Sequence, residues 1–571
     1  MNELVSVETK RSKRQTRRRI WQLPAALTLV PLAIAAVSPG AGHGPLLPAA
    51  EASSAVVAAS GTSGFQDQAW GDDTTREDEK ASRKTGDWRA EADLGSLFNA
   101  AKNTGAHDVW ASGVTGRGVD VAVIDTGISP VQGLDDPTKV VNGPDLSFES
   151  QNDQTRHLDG YGHGTHMAGI IAGRDADVVA GQENDPDRFV GIAPDARIVN
   201  LKVASADGGA DVTQIIAAID WAVQHRNDAG LNIRVINLSY GTSSTQPYLV
   251  DPLAYAVENA WRKGIVVVVA AGNDGAGVPV TMPAANPHVL SVGAVDHLGT
   301  KPLEDDVTAD FTNSGNADRR PDLLAPGKSV VSLRTPGSYS DRAHPEGLVS
   351  GDDDQRFFRG SGTSQATAVV SGAVALMLQQ RPDLTPDQVK HLLLSTADPL
   401  AEPDPVQGAG VLDIDEAVVA AAPSPAEAAQ SWPAAEGTGT LEGSRGESHV
   451  VDPTDGAVLD GEIDAMGSPW DARSWRTATA AGAAWSGGEW NGRTWAGSDW
   501  SGSSWTARSW RSAAWSGDSW AGGDWLARSW RGDVWSSAGW ESLSTASRSW
   551  TARSWRARSW RTVLTGPGAT W

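Results

Sequence analysis

Four short apolar runs constrain this 571-residue chain more than any other feature. Val119-Asp120-Val121-Ala122-Val123-Ile124, residues 198–203, Val235-Ile236-Asn237-Leu238 and residues 265–271 are nearly continuous and rich in β-branched side chains. They lack the polar alternation of a half-exposed strand. Helical patterns separate them at 167–172, 212–225 and 253–262. Strands that are apolar on both faces and alternate with helices predict an α/β unit, a parallel sheet covered on both sides. Leu384-Thr385-Pro386 predicts one more helix, with Thr385 as cap and Pro386 at the first position, running to about Ser395. The globular unit is expected to begin near Leu97 and close near Ala421.

In such sheets functional groups collect where strands end and helices begin. Asp125 ends the first run, in Ile124-Asp125-Thr126-Gly127. His163 lies in Gly160-Tyr161-Gly162-His163-Gly164-Thr165-His166-Met167-Ala168-Gly169, a glycine-flanked helix start. Ser364 lies in Gly360-Ser361-Gly362-Thr363-Ser364-Gln365-Ala366-Thr367-Ala368, where small residues feed an apolar helix spaced as Ala366, Val369, Val370, Ala373, Leu376 and Met377. A serine there is by default a helix cap. A hydroxyl, an imidazole and a carboxylate together supply what acyl transfer needs: a nucleophile, a base for its proton, and a group that orients that base. Asn273, in Ala270-Ala271-Gly272-Asn273, adds an amide able to donate to a developing oxyanion beside the Ser364 N–H.

On these four motifs, in this order, the chain resembles the subtilisin (subtilase) family of serine proteases over about residues 97–421. The resemblance implies a three-layer α/β domain and a serine endopeptidase acting on polypeptides. Asp125 would orient, His163 serve as general acid and base, Ser364 as nucleophile, and Asn273 as oxyanion donor. Leu238, Ser239, Tyr240 and Gly241 would form an edge that pairs with the substrate backbone, with Ala271 and Gly272 on the other wall and Thr281-Met282-Pro283 nearby. The chain departs from the family at Gln365, Thr367 and Ala368, where Met, Ser and Pro are common, and in having only residues 53–96 for a pro-segment. A second reading, a dead protease scaffold used for binding, would be expected to have lost one of the four groups; all are present.

Other chemistries fit less well. No cysteine is present, which excludes disulfides, cysteine–zinc sites and a thiol nucleophile. Asp-Thr-Gly also marks aspartic proteases, which need two copies, and there is one. His163 and His166 lack the glutamate of a zincin helix, so no metal site is expected. His157 and His225 are expected at the surface, and Asn237 in a structural role. The acidic stretch Asp175, Asp177, Glu183, Asn184, Asp185, Asp187 matches no defined calcium loop; no cofactor is required for the chemistry, and a structural calcium stays open.

Residues 1–52 read as an export signal: a basic stretch ending at Arg17-Arg18-Arg19, an apolar run over 21–37 and an Ala50-Glu51-Ala52 cleavage site. A secreted, extracellular or cell-wall-associated protein is therefore expected, with no membrane span in its mature form. Residues 53–96 are expected as a short pro-segment or flexible N-terminus, and 422–468 as a linker.

Over 469–571 tryptophan recurs every five residues from Trp470 to Trp560, with two gaps, and Ala-Arg-Ser-Trp-Arg appears five times. On an α-helix a period of five advances the indoles by about 140° and makes no stripe. A turn in each unit would bring them to one side, so an irregular or β-solenoid-like array with stacked indoles is expected. Two roles stay open: contact with cell-wall or surface glycan, or a repeat that stabilises only itself. Nucleic acid is not expected as a partner. The tail has no lysine and is net +5, and with +4 on residues 1–52 the whole-chain −23 leaves −32 on residues 53–468.

Overall fold

A computed structural model describes residues 88–150, 155–298, 303–402, 404–451, 457–486 and 488–494, together with the pair 551–552. The expected signal, most of the expected pro-segment and the pentads beyond 494 (apart from 551–552) lie outside the described residues.

The apolar runs are strands: β1 (Asp120–Asp125), β2 (Val140–Asn142), β3 (Arg197–Lys202), β4 (Ile233–Leu238), β5 (Val266–Ala270), β6 (Leu290–Asp296), β7 (Val307–Thr308) and β8 (Leu323–Pro326). They form one sheet in the order β2-β3-β1-β4-β5-β6-β7, with β8 also on β6, and only the β6–β7 pairing is antiparallel. Every residue of β1, β5 and β6 is buried, as strands covered on both faces must be.

Six helices among the described residues have ten residues or more: α1 (His163–Ala172), α2 (Val212–Gln224), α3 (Pro252–Arg262), α4 (Thr363–Gln380), α5 (Pro386–Thr396) and α6 (Ala472–Ala481). Helices α1 and α4 pack together on one face of the sheet and α2 and α3 on the other, giving three layers. Their starts follow capping chemistry. Asp211 and Gln214 form a capping box on α2, Asp251 precedes Pro252 on α3, and Thr385 and Gln388 box α5 with Pro386 in its first turn.

The boundaries differ from those expected. At the N-terminal side Trp88 packs on Phe357 with ring centroids 4.9 Å apart, and Asp93 pairs with Arg359 at 2.5 Å, so the unit already includes residues expected to be flexible. At the C-terminal side the described residues of 422–468, expected as a linker, lie along the domain. Arg445 is fully buried there against Asp211 at 2.6 Å. A segment rich in Ala, Pro and Gly packs because a few of its side chains find buried partners; composition alone does not register those partners.

The pentads begin on the same surface. Trp470, Trp475, Trp485 and Trp490 are all buried. Trp475 sits in α6, capped by Asp471, where no helix was expected. Trp485 and Trp490 face each other across an antiparallel pair, and Trp490 in turn opposes Arg493. The second connection is the two-residue turn Asn491-Gly492, both with positive φ, as a primed hairpin turn requires, and Gly488 in the first also has positive φ. Two residues five apart become register partners around such a turn, which is how a period of five puts two indoles on one side. Trp470 stacks on Trp490 with centroids 6.0 Å apart.

Candidate active site

The candidate residues stand where strands end and helices start. Asp125 is the last residue of β1, His163 the first of α1, and Ser364 the second of α4. The cap of α4 is Gly362, which contributes no side-chain bond, so Ser364 lies inside the first turn of the helix and is not its cap. Its hydroxyl is therefore not consumed by capping, and it sits where the first-turn N–H groups favour negative charge.

Asp125 and His163 are fully buried, and Asp125 Oδ1 lies 2.6 Å from His163 Nδ1. A buried carboxylate at that distance keeps the proton on Nδ1 and stabilises an imidazolium. Asp125 Oδ1 also accepts the Thr126 N–H at 2.8 Å.

Two glycines allow this approach. Gly162 caps α1 with φ +102, and a Cβ there would meet Ser338 Oγ at 2.6 Å. A Cβ on Gly164 would lie 2.1 Å from the Gly127 carbonyl oxygen, so only glycine lets α1 lie against the Asp-Thr-Gly turn.

Asp159, not among the residues expected from the motifs, clamps that arrangement. Its buried carboxylate accepts Thr126 Oγ1 at 2.7 Å and the N–H groups of Gly162 at 2.6 Å, Thr165 at 2.8 Å and Tyr161 at 3.2 Å. Thr126 Oγ1 in turn accepts the Gly164 N–H at 2.9 Å. Burial raises the Asp159 carboxyl above its usual range, against the lowering effect of these bonds. The signal was there in Asp159-Gly160-Tyr161-Gly162, an acidic residue just ahead of a helix start. Lys202, the register partner of Asp125 on β3, holds the same loop from below: its ammonium donates to Glu149 at 2.7 Å and to the Leu158 carbonyl at 2.6 Å, all three groups buried.

Asn273 lies just past the end of β5. Its Oδ1 accepts both the N–H and the hydroxyl of Thr363, at 2.8 and 2.9 Å. A backbone N–H only donates, so the amide oxygen faces Thr363 and the NH₂ takes the opposite side. A Cβ on Gly362 would lie 3.3 Å from that Nδ2. Asn273 and Ser364 are thus neighbours through Thr363.

Leu238 ends β4, and Ser239 Oγ lies 3.4 Å from the Ser364 carbonyl. Gly272 donates to Thr363 Oγ1 at 3.2 Å, and Ala271 accepts from the Thr281 N–H at 3.0 Å. Gly241 lies beside Thr281, whose hydroxyl would lie 2.2 Å from a Cβ on Gly241, and Tyr240 before it is buried. Asn237 is structural: it accepts Ser371 Oγ at 2.9 Å and ties β4 to α4.

Of the remaining histidines, His166 bonds the Phe358 carbonyl through Nε2 at 3.2 Å, and burial holds it down at about 3, so it stays neutral. His157 and His225, expected at the surface, are half-buried, His225 stacked on Trp221 at 4.7 Å. In the acidic stretch Asp175 pairs with Arg356 at 2.5 Å and Asp177 with Arg188 at 2.9 Å. Among the described residues no three His, Cys, Asp or Glu side chains converge as metal ligands, and no helix is long and apolar enough to cross a membrane.

A model of the subtilase family matches residues 116–412. Serine protease AprX of Bacillus subtilis (strain 168) is 36% identical over 332 residues, covering 56% of this chain and 71% of that protein. Subtilisin DY of Bacillus licheniformis is 32% identical over 316 residues, 55% of this chain and 95% of that protein. The major intracellular serine protease of Bacillus subtilis (strain 168) is 30% identical over 290 residues, 50% of this chain and 76% of that protein.

Proposed function

The chain belongs to the subtilase family and is a subtilisin-like serine endopeptidase, and we propose that it cleaves polypeptides through an acyl-enzyme on Ser364. The observation that carries this reading is the 2.6 Å contact between Asp125 and His163, both fully buried. Asn273, bonded to the residue before Ser364, supports it. His163 Nε2 takes the Ser364 proton as Oγ attacks the scissile carbonyl. The oxyanion receives hydrogen bonds from Asn273 Nδ2 and the Ser364 N–H. The imidazolium then returns its proton to the leaving amine, and a water attacks the ester by the same route in reverse. Asp125 holds the imidazole in place and stabilises the imidazolium. The substrate backbone adds as a strand along Leu238, Ser239, Tyr240 and Gly241, facing Ala271 and Gly272.

The chemistry calls on no cofactor; a structural calcium remains a separate proposal. Secretion is proposed from the N-terminal signal pattern. Glycan or cell-wall contact is proposed only for the pentads beyond 494, since the indoles at 470, 475, 485 and 490 are turned inward.

A serine-reactive fluorophosphonate tests the reading. Wild type is expected to label and Ser364→Ala to lose both label and activity. Equal labelling of the two would refute it.

A further inference from the structure

The family match ends at residue 412, yet the substrate-binding wall is fastened from beyond it. Just past Gly241, Thr242 exchanges backbone hydrogen bonds with Met282 at 2.8 and 2.9 Å, and Thr281 bonds back to Ala271 at 3.0 Å. The two walls assigned to substrate are therefore laced together at Thr242.

Residues 440–447 hold the outer side of that lacing. The Thr242 hydroxyl, buried, donates to the Ser444 carbonyl at 2.6 Å. The Thr245 N–H donates to the Gly443 carbonyl at 2.9 Å, and Ser244 Oγ, 2.8 Å from Asp251, lies within hydrogen-bond reach of the same carbonyl at 3.0 Å. Gln246 exchanges bonds with the Thr440 backbone at 2.9 and 3.2 Å, and the Glu447 N–H donates to Ser243 Oγ at 3.3 Å. Each residue from 242 to 246 meets this one segment.

The segment is itself anchored. Arg445 donates to Asp211, the cap of α2, and its two terminal nitrogens reach the carbonyls of Gly461 at 2.6 Å and Ile463 at 2.5 Å. Ser444 Oγ donates to Asp251, the cap of α3, at 3.1 Å. One short turn thus spans the starts of both helices on this face of the sheet and reaches back to the cleft wall.

We infer that residues 440–447 act as a positioning strap that sets the spacing of the substrate-binding walls, working through the Thr242 hydroxyl on the Ser444 carbonyl. The inference rests on the assignment of Leu238, Ser239, Tyr240 and Gly241 to substrate. A strap outside the reacting atoms alters how an extended peptide is held while leaving the reactivity of Ser364 untouched.

The test uses full-length protein as wild type, Thr242→Val and Thr242→Ser. Valine keeps the shape and removes the donor; serine keeps the donor. For a peptide with at least four residues ahead of the scissile bond, Thr242→Val is expected to raise KM about five-fold, the worth of one neutral hydrogen bond. kcat and the rate of fluorophosphonate labelling stay within two-fold, and Thr242→Ser behaves as wild type. An unchanged KM with normal labelling would overturn the strap. So would kcat and KM shifting together with a lowered melting temperature, which marks a merely structural residue. Failure of all three proteins to label would overturn the protease reading itself, and the strap with it.

Discussion

Asp220 offers a test of how the tryptophan pentads are held, because its substitution by asparagine should strengthen the protein. Asp220 on α2 is buried, and among the described residues no charged group acts on it. Its Oδ2 accepts the indole N–H groups of Trp475 and Trp490, each at 2.9 Å, and its Oδ1 accepts Thr479 Oγ1 at 2.9 Å. Burial pushes its carboxyl from 3.8 up to about 6, the three bonds only partly offsetting the loss of water. The native state therefore keeps this proton more tightly than the unfolded chain does. Its contribution is favourable below about pH 4 and is lost as pH rises toward 6, the reverse of a salt-bridged carboxylate. Proton affinity raised about a hundredfold, at about 1.4 kcal/mol per factor of ten, makes that loss about 3 kcal/mol. In Asp220→Asn the amide oxygen can take both indoles, and the NH₂ can donate to Thr479, whose hydroxyl also accepts. Every partner is kept and no charge is buried. In a Ser364→Ala background, to prevent self-cleavage, urea unfolding should show Asp220→Asn more stable by about 2–3 kcal/mol at pH 8 and equal to its parent near pH 4. Asp220→Leu, which orphans three donors, should be less stable at both pH values, by about 1–3 kcal/mol per donor. An Asp220→Asn protein weaker than its parent at pH 8 would refute the reasoning, since the charge itself would then be what holds the indoles.

Two further outcomes follow from the site. Asn273→Leu should lower kcat by roughly 10²–10³ with KM little changed, a figure taken over from the family's own oxyanion asparagine; a rise in KM with kcat intact would instead move Asn273 out of the oxyanion role. Lys202→Met should lower stability by about 3–5 kcal/mol, because Glu149 is left buried without its cation partner, and Lys202→Met with Glu149→Leu should recover most of it in urea unfolding.

Much of the sheet domain was legible because its signals are local. A strand covered on both faces reads as a near-continuous apolar run, and β1, β4 and β5 announce themselves that way. Helix starts carry their caps in sequence, as at Thr385 and Asp211. The four candidate groups could be named because each is fixed to an element end and flanked by small residues. Asp159 and Lys202 escaped notice because nothing in their flanks says that the backbone will fold back over them. The described residues of 422–468 packed unexpectedly for the same reason: their hold is a buried Arg445, scattered apolar side chains such as Leu441, Val450 and Met466, and side-chain and backbone bonds to partners about 200 positions away.

The sequence by itself determined the strand and helix alternation, the candidate nucleophile, base, orienter and oxyanion amide, and the five-residue spacing of the indoles. Those depend on residue type and on separations of a few positions. Only the tertiary structure decided that Asp125 lies 2.6 Å from His163 across 38 residues, that Asp220 receives two indoles from 255 and 270 positions away, and that Ser444 braces Thr242. Such contacts depend on which surfaces the packed sheet brings together, and their energies come from burying polar groups that the local sequence leaves equally content in water.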